Sequence, residues 1–312
     1  MRRPWSPSTG EIPFTMTPDI AVTRIASTHA REVARGDRFA FGENWARYLK
    51  VLDEKRIEQA IESLMTMLEI EDLRGKSFLD IGSGSGIFSL AARRLGARVV
   101  SFDYDPRAVA CTQEVKRRYF ESDSQWQVLT GSALDAAFLG GLGRFDVVYS
   151  WGVLHHTGDM WTALANVGRN VAEGGKLFIS LANDQGGPSR RWTSIKRIYN
   201  RMPSGLRSPF AVLVYLPIEL RRFLASLLKG RPHAYFSHFW NYGENRGMSW
   251  WRDNIDWIGG YPFQVSKPEE ILQFYRRRGY TLLRMKTHGP GHGCNEYVLQ
   301  RNPAAGNARP RA

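Results

Sequence analysis

Three glycines at alternate positions, Gly82, Gly84 and Gly86, follow Asp80 by two residues. They stand between an apolar run at residues 77–81 and a helical pattern at 88–95. Glycine in such a turn lets the backbone approach a ligand closely. Ser83 is carried in the same turn. The spacing is not that of the dinucleotide fingerprint, G-x-G-x-x-G, because Ile87 occupies the third glycine's place. A second acid, Asp103, ends the next apolar run, where a carboxylate offers paired acceptors to a vicinal diol. Beyond a later run at 145–150 stand His155 and His156. Imidazoles titrate near neutral pH and suit proton transfer, so both are candidate bases, His156 ahead of His155; loop-shaping hydrogen bonds are the alternative.

Two further groups of polar residues carry weaker signals. His288, His292, Asn295 and Glu296 surround a loop containing Gly289, Pro290, Gly291 and Gly293. Histidines four apart share a metal only on a helix, which those glycines and that proline forbid, so no metal is expected. Asn295 remains a candidate substrate contact, against a plain polar hairpin. The aromatic stretch 185–265 holds His238, Trp240, Tyr242, Trp251 and Tyr261. Pockets are lined by aromatics with a few polar groups, so these five are expected to shape an acceptor site; a small satellite core is the competing reading.

These residues must be held by regular elements. Strand text occurs at 77–81, 98–103, 126–130, 145–150, 176–181, 280–286 and 296–301, and helical text at 55–68, 88–95, 107–119, 160–171 and 266–278. Strands alternating with helices argue for an α/β fold, a doubly wound and mostly parallel seven-stranded sheet. In such a sheet ligands bind beyond the carboxyl ends of the strands, where the glycine turn lies. The chain divides into an N-terminal helical extension and lid (1–54), a cofactor-binding core (55–184), a helical or irregular substrate-side insertion (185–265), the end of the core (266–301) and a disordered tail (302–312).

The turn from Phe78 to Gly86, Asp103 after the second strand, the turn 131–135 and the segment 145–156 together resemble the class I S-adenosylmethionine-dependent methyltransferases. Beyond the class, the chain looks like the broad group that includes the ubiquinone-biosynthesis O-methyltransferases. The resemblance implies a Rossmann-like methyltransferase fold and S-adenosyl-L-methionine as cofactor. It places Asp80, Gly82, Ser83, Gly84 and Gly86 at the cofactor, Asp103 on the ribose hydroxyls, and Ser132 and Ala133 at the adenine. Ser150 and Trp151 fall under the methionine moiety. Ser132 stands where the family usually has Asp, which departs from the usual adenine contact. Trp45 is expected to cover the cofactor or to pin the extension to the sheet, and Tyr104 to stack on adenine or lie on the surface.

Composition narrows the rest. The 312 residues carry 43 Lys and Arg against 30 Asp and Glu, a net charge of +13. Residues 185–265 hold 12 of those bases and 4 acids, so the excess sits in the insertion. An anionic or lipid-linked small-molecule acceptor is expected. Peripheral contact with an anionic membrane through a basic amphipathic segment at 210–229 is weighed against a lid helix. Cys111 and Cys294 alone exclude a disulfide scaffold and a cysteine zinc site, and fit a reducing, cytoplasmic setting. Methylation of a phenol, quinol or sugar hydroxyl leads. A small amine, an RNA base and a non-catalytic cofactor-binding role are the alternatives. Against RNA, the fourth strand ends in Ser150, Trp151 and Gly152, without the Asn/Asp-Pro-Pro-aromatic pattern of base methylation.

Overall fold

The computed structural model describes residues 18–240, 250–289 and 293–303. Seven strands form one sheet in the order β3-β2-β1-β4-β5-β7-β6. They are β1 (Ser77–Ile81), β2 (Arg98–Asp103), β3 (Trp126–Thr130), β4 (Phe145–Trp151), β5 (Val171–Ala182), β6 (Tyr280–Lys286) and β7 (Cys294–Arg301). The first five run parallel, and β7 pairs antiparallel with both β5 and β6. Chain order reverses at β1, whose neighbours are β2 and β4, so the crevice beyond its carboxyl end opens there.

One face is covered by α3 (Glu54–Leu68), α4 (Ile87–Arg94) and α5 (Pro106–Phe120). Their buried residues, among them Ile57, Leu64, Leu90 and Val115, pack with Phe78, Val147 and Phe178 of the strands. The other face is covered by α6 (Ala136–Leu142), α7 (Met160–Arg169) and α12 (Pro268–Arg276), where Leu139, Leu164, Val167 and Tyr275 meet Leu79, Val148 and Ile179. Alternate strand residues thus serve opposite cores, as the two-residue period of a strand requires. Helices α3, α5, α6 and α7 each start on an aspartate, Asp53, Asp105, Asp135 and Asp159, whose side chain accepts from first-turn amides.

Two elements depart from the sequence expectation, and the insertion takes the helical of its two expected forms. Helix α6 hides behind Gly140 and Gly141, which read as loop, yet it is capped by Asp135 and anchored by buried Leu139. Val171 leaves α7 and opens β5, whose pairing with β4 shifts register between Phe145 and Val147. The stretch 185–265 is largely helical: α8 (Gly187–Arg201), α9 (Ser204–Leu228), α10 (Pro232–Trp240) and α11 (Trp250–Gly259). Pro209 and Pro217 inside α9 masked its periodicity. Its inner side, Ala211 and Tyr215, packs with Trp192 and Tyr199 of α8 and Ile258 of α11 into a third cluster, with Trp251 and Trp257 at its edge. The satellite-core reading therefore accounts for Trp251.

The N-terminal helices α1 (Pro18–Ala34) and α2 (Gly42–Tyr48) close over the carboxyl edge of the sheet. The joint is Asp105: one oxygen caps α5 through the Arg107 amide, and the other accepts from the Gly42 amide at 2.8 Å. A Cβ on Gly42 would lie 2.5 Å from Arg107 Cβ and 2.7 Å from Asp105 Oδ2. Gly42→Val should therefore unseat α2, cost about 1–3 kcal/mol as an overpacking substitution, and lower the melting temperature measured by calorimetry. Cleavage between α1 and α3 under limited proteolysis should rise in parallel.

Candidate active site

The site begins as a backbone conformation. Gly82, Gly84 and Gly86 all have positive φ, at 75°, 55° and 81°, where a side chain is strained. Space forbids one as well. A Cβ would meet Val153 at 2.4 Å from Gly82, Trp45 at 2.9 Å from Gly84, and the Thr112 backbone at 2.9 Å from Gly86. The turn is thus pressed by the lid, by the loop after β4 and by α5. Ser83 Oγ is 2.8 Å from Thr112 Oγ1, which fixes the turn to α5.

Around it lies a cavity of about 420 Å³, bounded by Trp45, Asp80, Gly82, Ser83, Gly84, Asp103, Tyr104, Ser132, Ala133, Trp151 and His156 among the expected residues. That volume falls within the usual range of small-ligand pockets. Gly86 is not in the wall: it is the N-cap of α4 and the place where α5 comes close. Ser150 is not in it either, because it points to the opposite side of β4 from Tyr149 and donates to the Ile81 carbonyl. His155 is buried behind the wall, 6.0 Å from the Phe263 ring, with Nδ1 unpartnered among the described residues.

The substrate candidates do not gather here. Asn295 is buried and structural: it donates to Asn183 Oδ1 and accepts the His288 amide, tying the β6–β7 loop to the end of β5. Tyr261 gives its carbonyl to the Phe39 amide, and its hydroxyl accepts from Arg197, both outside the cavity wall. Tyr242 and His292 lie outside the described residues, as do the side chains of His238 and Trp240. Among the described residues of the insertion, aromatics pack on one another, and what reaches the cavity is Asp253 of α11. The aromatic wall comes from the lid, as Phe39, Phe41 and Trp45.

Electrostatics divide the cavity in two. Burial pushes the Asp80 carboxyl up to about 7, reinforced by Asp103 and opposed by the Ser89 hydroxyl that donates to it. Burial likewise raises Asp103 to about 6 against the amides of Asp105 and Gly84, which bond its two oxygens at 2.9 and 3.0 Å. Each oxygen keeps a lone pair for a further donor. Ser132 Oγ accepts from the Leu134 amide at 3.2 Å, so it shapes its own turn while its hydroxyl proton stays available. Tyr149, missed from sequence, lines the cavity with its hydroxyl buried and unpartnered among the described residues.

At the other end, His156 is clamped from three sides. Its Nδ1 lies 2.7 Å from the Pro262 carbonyl, its own carbonyl accepts from Arg38 at 3.0 Å, and Phe41 stacks 5.1 Å away. A carbonyl only accepts, so Nδ1 carries the proton and Nε2 is the ring's acceptor. Burial first, then the charge of Lys196, drives His156 down to about 3, and burial holds His155 well below its ordinary value. Lys196 itself is pushed down to about 7 by burial; its ammonium donates to the Trp257 carbonyl and lies 4.6 Å from the Phe263 ring. Arg38, Lys196 and Pro262 were not legible as site residues, because Arg38 and Pro262 reach His156 from 118 and 106 positions away with no local pattern linking them.

A doubly wound sheet with a glycine turn at its switch point and an acid ending the adjacent strand defines a class of nucleoside-cofactor proteins. Within that class, the chain belongs to the family described as methyltransferase domain, whose model matches residues 52–210, half of the chain. It is 35% identical over 113 residues to a ubiquinone biosynthesis O-methyltransferase of Xanthomonas oryzae pv. oryzae, covering 36% of this chain and 45% of that protein. It is 44% identical over 71 residues to a ribosomal protein L11 methyltransferase of Legionella pneumophila, covering 22% of this chain and 25% of that one. The chain thus spans less than half the length of these curated relatives. A solved magnesium protoporphyrin IX methyltransferase from Synechocystis PCC 6803, with bound SAH, superposes with a TM-score of 0.48 at 16% identity, over 91% of this chain and 99% of that one.

The residues present fit the family's cofactor, S-adenosylmethionine. Asp103 has lone pairs for a ribose diol, Asp80 a carboxylate for the cationic end, the glycine turn an open backbone, and Tyr149 an unspent hydroxyl. Both acids sit above their ordinary range in the free protein, whereas a cation and hydroxyl donors require them ionised. Cofactor affinity should therefore be full above pH 7 and decline as pH falls through about 7 and then about 6. Titration calorimetry near pH 6.5, in buffers of different ionisation enthalpy, should show proton release on binding. Asp80→Asn should remove most of that release and leave the smaller share of Asp103.

Proposed function

We propose that the protein transfers the methyl group of S-adenosylmethionine to a hydroxyl of a small molecule, with His156 accepting the hydroxyl proton. The observation that carries this reading is the commitment of His156 Nδ1–H to the Pro262 carbonyl, which leaves Nε2 as a neutral acceptor on a ring lining the cavity. The cofactor, when bound, supplies an electrophilic methyl on sulfonium. The protein's share is placement, worth ~7–11 kcal/mol in a well-aligned pair, and proton removal.

The strand order supports an assignment of ends. Asp103, Tyr104 and the turn 131–134 lie at the carboxyl ends of β2 and β3, and Trp151 and His156 beyond β4, two strands away. The acceptor is therefore assigned to the β4 side, between Trp151, His156, Phe41 and Asp253. An imidazole held down near 3 is a weak base, so it favours an acceptor that loses its proton readily. Phenols and quinols meet that condition, with phenolic hydroxyls near 10; sugar hydroxyls meet it poorly. The lid-covered, aromatic cavity supports a small acceptor, and the basic excess of 185–265 lies mainly on helices away from the cavity wall.

His156→Ala should reduce kcat roughly 10²–10⁴-fold with cofactor affinity unchanged by calorimetry. Full turnover in that variant would falsify the base. Because His156 stays neutral far below the ordinary histidine range, kcat at saturating cofactor should be level from pH 8 down to about 5, while kcat/KM for cofactor bends with Asp80 and Asp103. An acid limb near 6.5 in kcat itself would contradict this assignment. Mass and NMR analysis of product from a panel of phenols, quinols and amines identifies the methylated atom.

A further inference from the structure

Helix α9 is built inside out. At 100° per residue, Ala211, Tyr215 and Glu219 point inward and are buried, whereas Leu213, Leu216, Leu220, Leu224 and Leu227 fall on the opposite arc. Leu213 is 68% exposed, Leu216 60% and Leu220 53%, and Leu228, at the helix end, 90%. Pro209 and Pro217 lie on the same arc and are exposed; no charged residue interrupts it. Single exposed leucines need no explanation, but a leucine stripe from Leu213 to Leu227 along one side of a helix does. Among the described residues, nothing covers it.

The charge around the stripe selects the occupant. Residues 187–240 hold ten Lys and Arg and one acidic residue, Glu219, which is spent on Arg222 at 2.7 Å. Arg221 flanks the stripe, and Lys229 and Arg231, both exposed, follow its end. A second copy of this chain would bring an equally basic rim against the first, within a molecule already at +13. Anionic lipid headgroups complement the rim, and acyl chains the leucines. We infer that the outward face of α9 seats the protein on an anionic bilayer surface, the helix lying in the interface plane. It does not cross: among the described residues no helix is long and apolar enough to do so.

The seat is one layer from the cavity. The inner side of α9 packs on α8 and α11, and α11 carries Asp253 at the cavity wall. Delivery of a lipid-soluble acceptor from that side rests on the methyl-transfer reading above; the seat itself does not.

Sedimentation of the full chain with phosphatidylcholine vesicles, with and without phosphatidylglycerol, tests it without any turnover measurement. Binding is expected with phosphatidylglycerol and should weaken as salt is added. Leu213→Ser/Leu216→Ser/Leu220→Ser should weaken it roughly 100-fold or more, with circular dichroism and cofactor affinity unchanged, since these side chains are exposed in the folded state. Arg221→Ala/Lys229→Ala should weaken it roughly 30-fold. Absence of binding to phosphatidylglycerol vesicles overturns the proposal, and so does equal binding by the triple serine variant. Leucine-dependent self-association in sedimentation velocity, without vesicle binding, overturns it in favour of a second copy.

Discussion

The five residues from Gly82 to Gly86 are pressed from three directions at once. Three separate parts of the chain, Trp45 from the lid, Val153 from the loop after β4 and Thr112 from α5, stand where the missing side chains would be. Such contact is available only to glycine, and only because the backbone there is left-handed. The lid, the reactive turn and the core helix are therefore registered against one another through a segment without side chains at alternate positions. The sheet supplies the rigid base, since β1 is paired on both sides and its residues from Phe78 to Ile81 are buried.

On that base the site is organised by desolvation more than by ion pairing. Burial is the first cause of the raised carboxyls of Asp80 and Asp103 and of the lowered imidazoles of His155 and His156. The free protein keeps its acids partly protonated and its histidines neutral, and avoids the cost of isolated buried charge. A cationic ligand reverses the balance for the acids alone. At the histidine end, burial and the charges of Lys196 and Arg38 oppose an imidazolium. The raised carboxyls and the lowered imidazoles thus share one cavity under opposite electrostatic demands, with Asp103 at the end of β2, His156 beyond β4 and β1 between them.

The cofactor half of this arrangement was legible because it is local. Strands 77–81, 98–103 and 126–130 are short apolar runs bounded by turn residues, and the ends of the first two place the glycine turn and Asp103 directly. The acceptor half is assembled from residues 38–45, 151–157 and 253–263, and no periodicity links Arg38 to a carbonyl 118 positions away. One error has a simple origin in strand parity. Ser150 was chosen over Tyr149, yet on β4 Tyr149 and Trp151 share the side that reaches the cavity, and Ser150 faces the other way. The aromatics of the insertion misled for another reason: composition suggests a pocket equally well when the rings pack on each other, as Trp192, Tyr215 and Trp257 do.

Arg38 joins two events that could have been independent. Its guanidinium bonds the carbonyls of His156 and Thr157 while Glu32 of α1 holds it from behind, and Trp45, seven residues on, rests against Gly84. Lifting the segment from 38 to 45 would withdraw both contacts together, the clamp on the histidine turn and the cover on the glycine turn. On the methyl-transfer reading proposed above, an opened compartment would then hold the cofactor with its proton acceptor out of place.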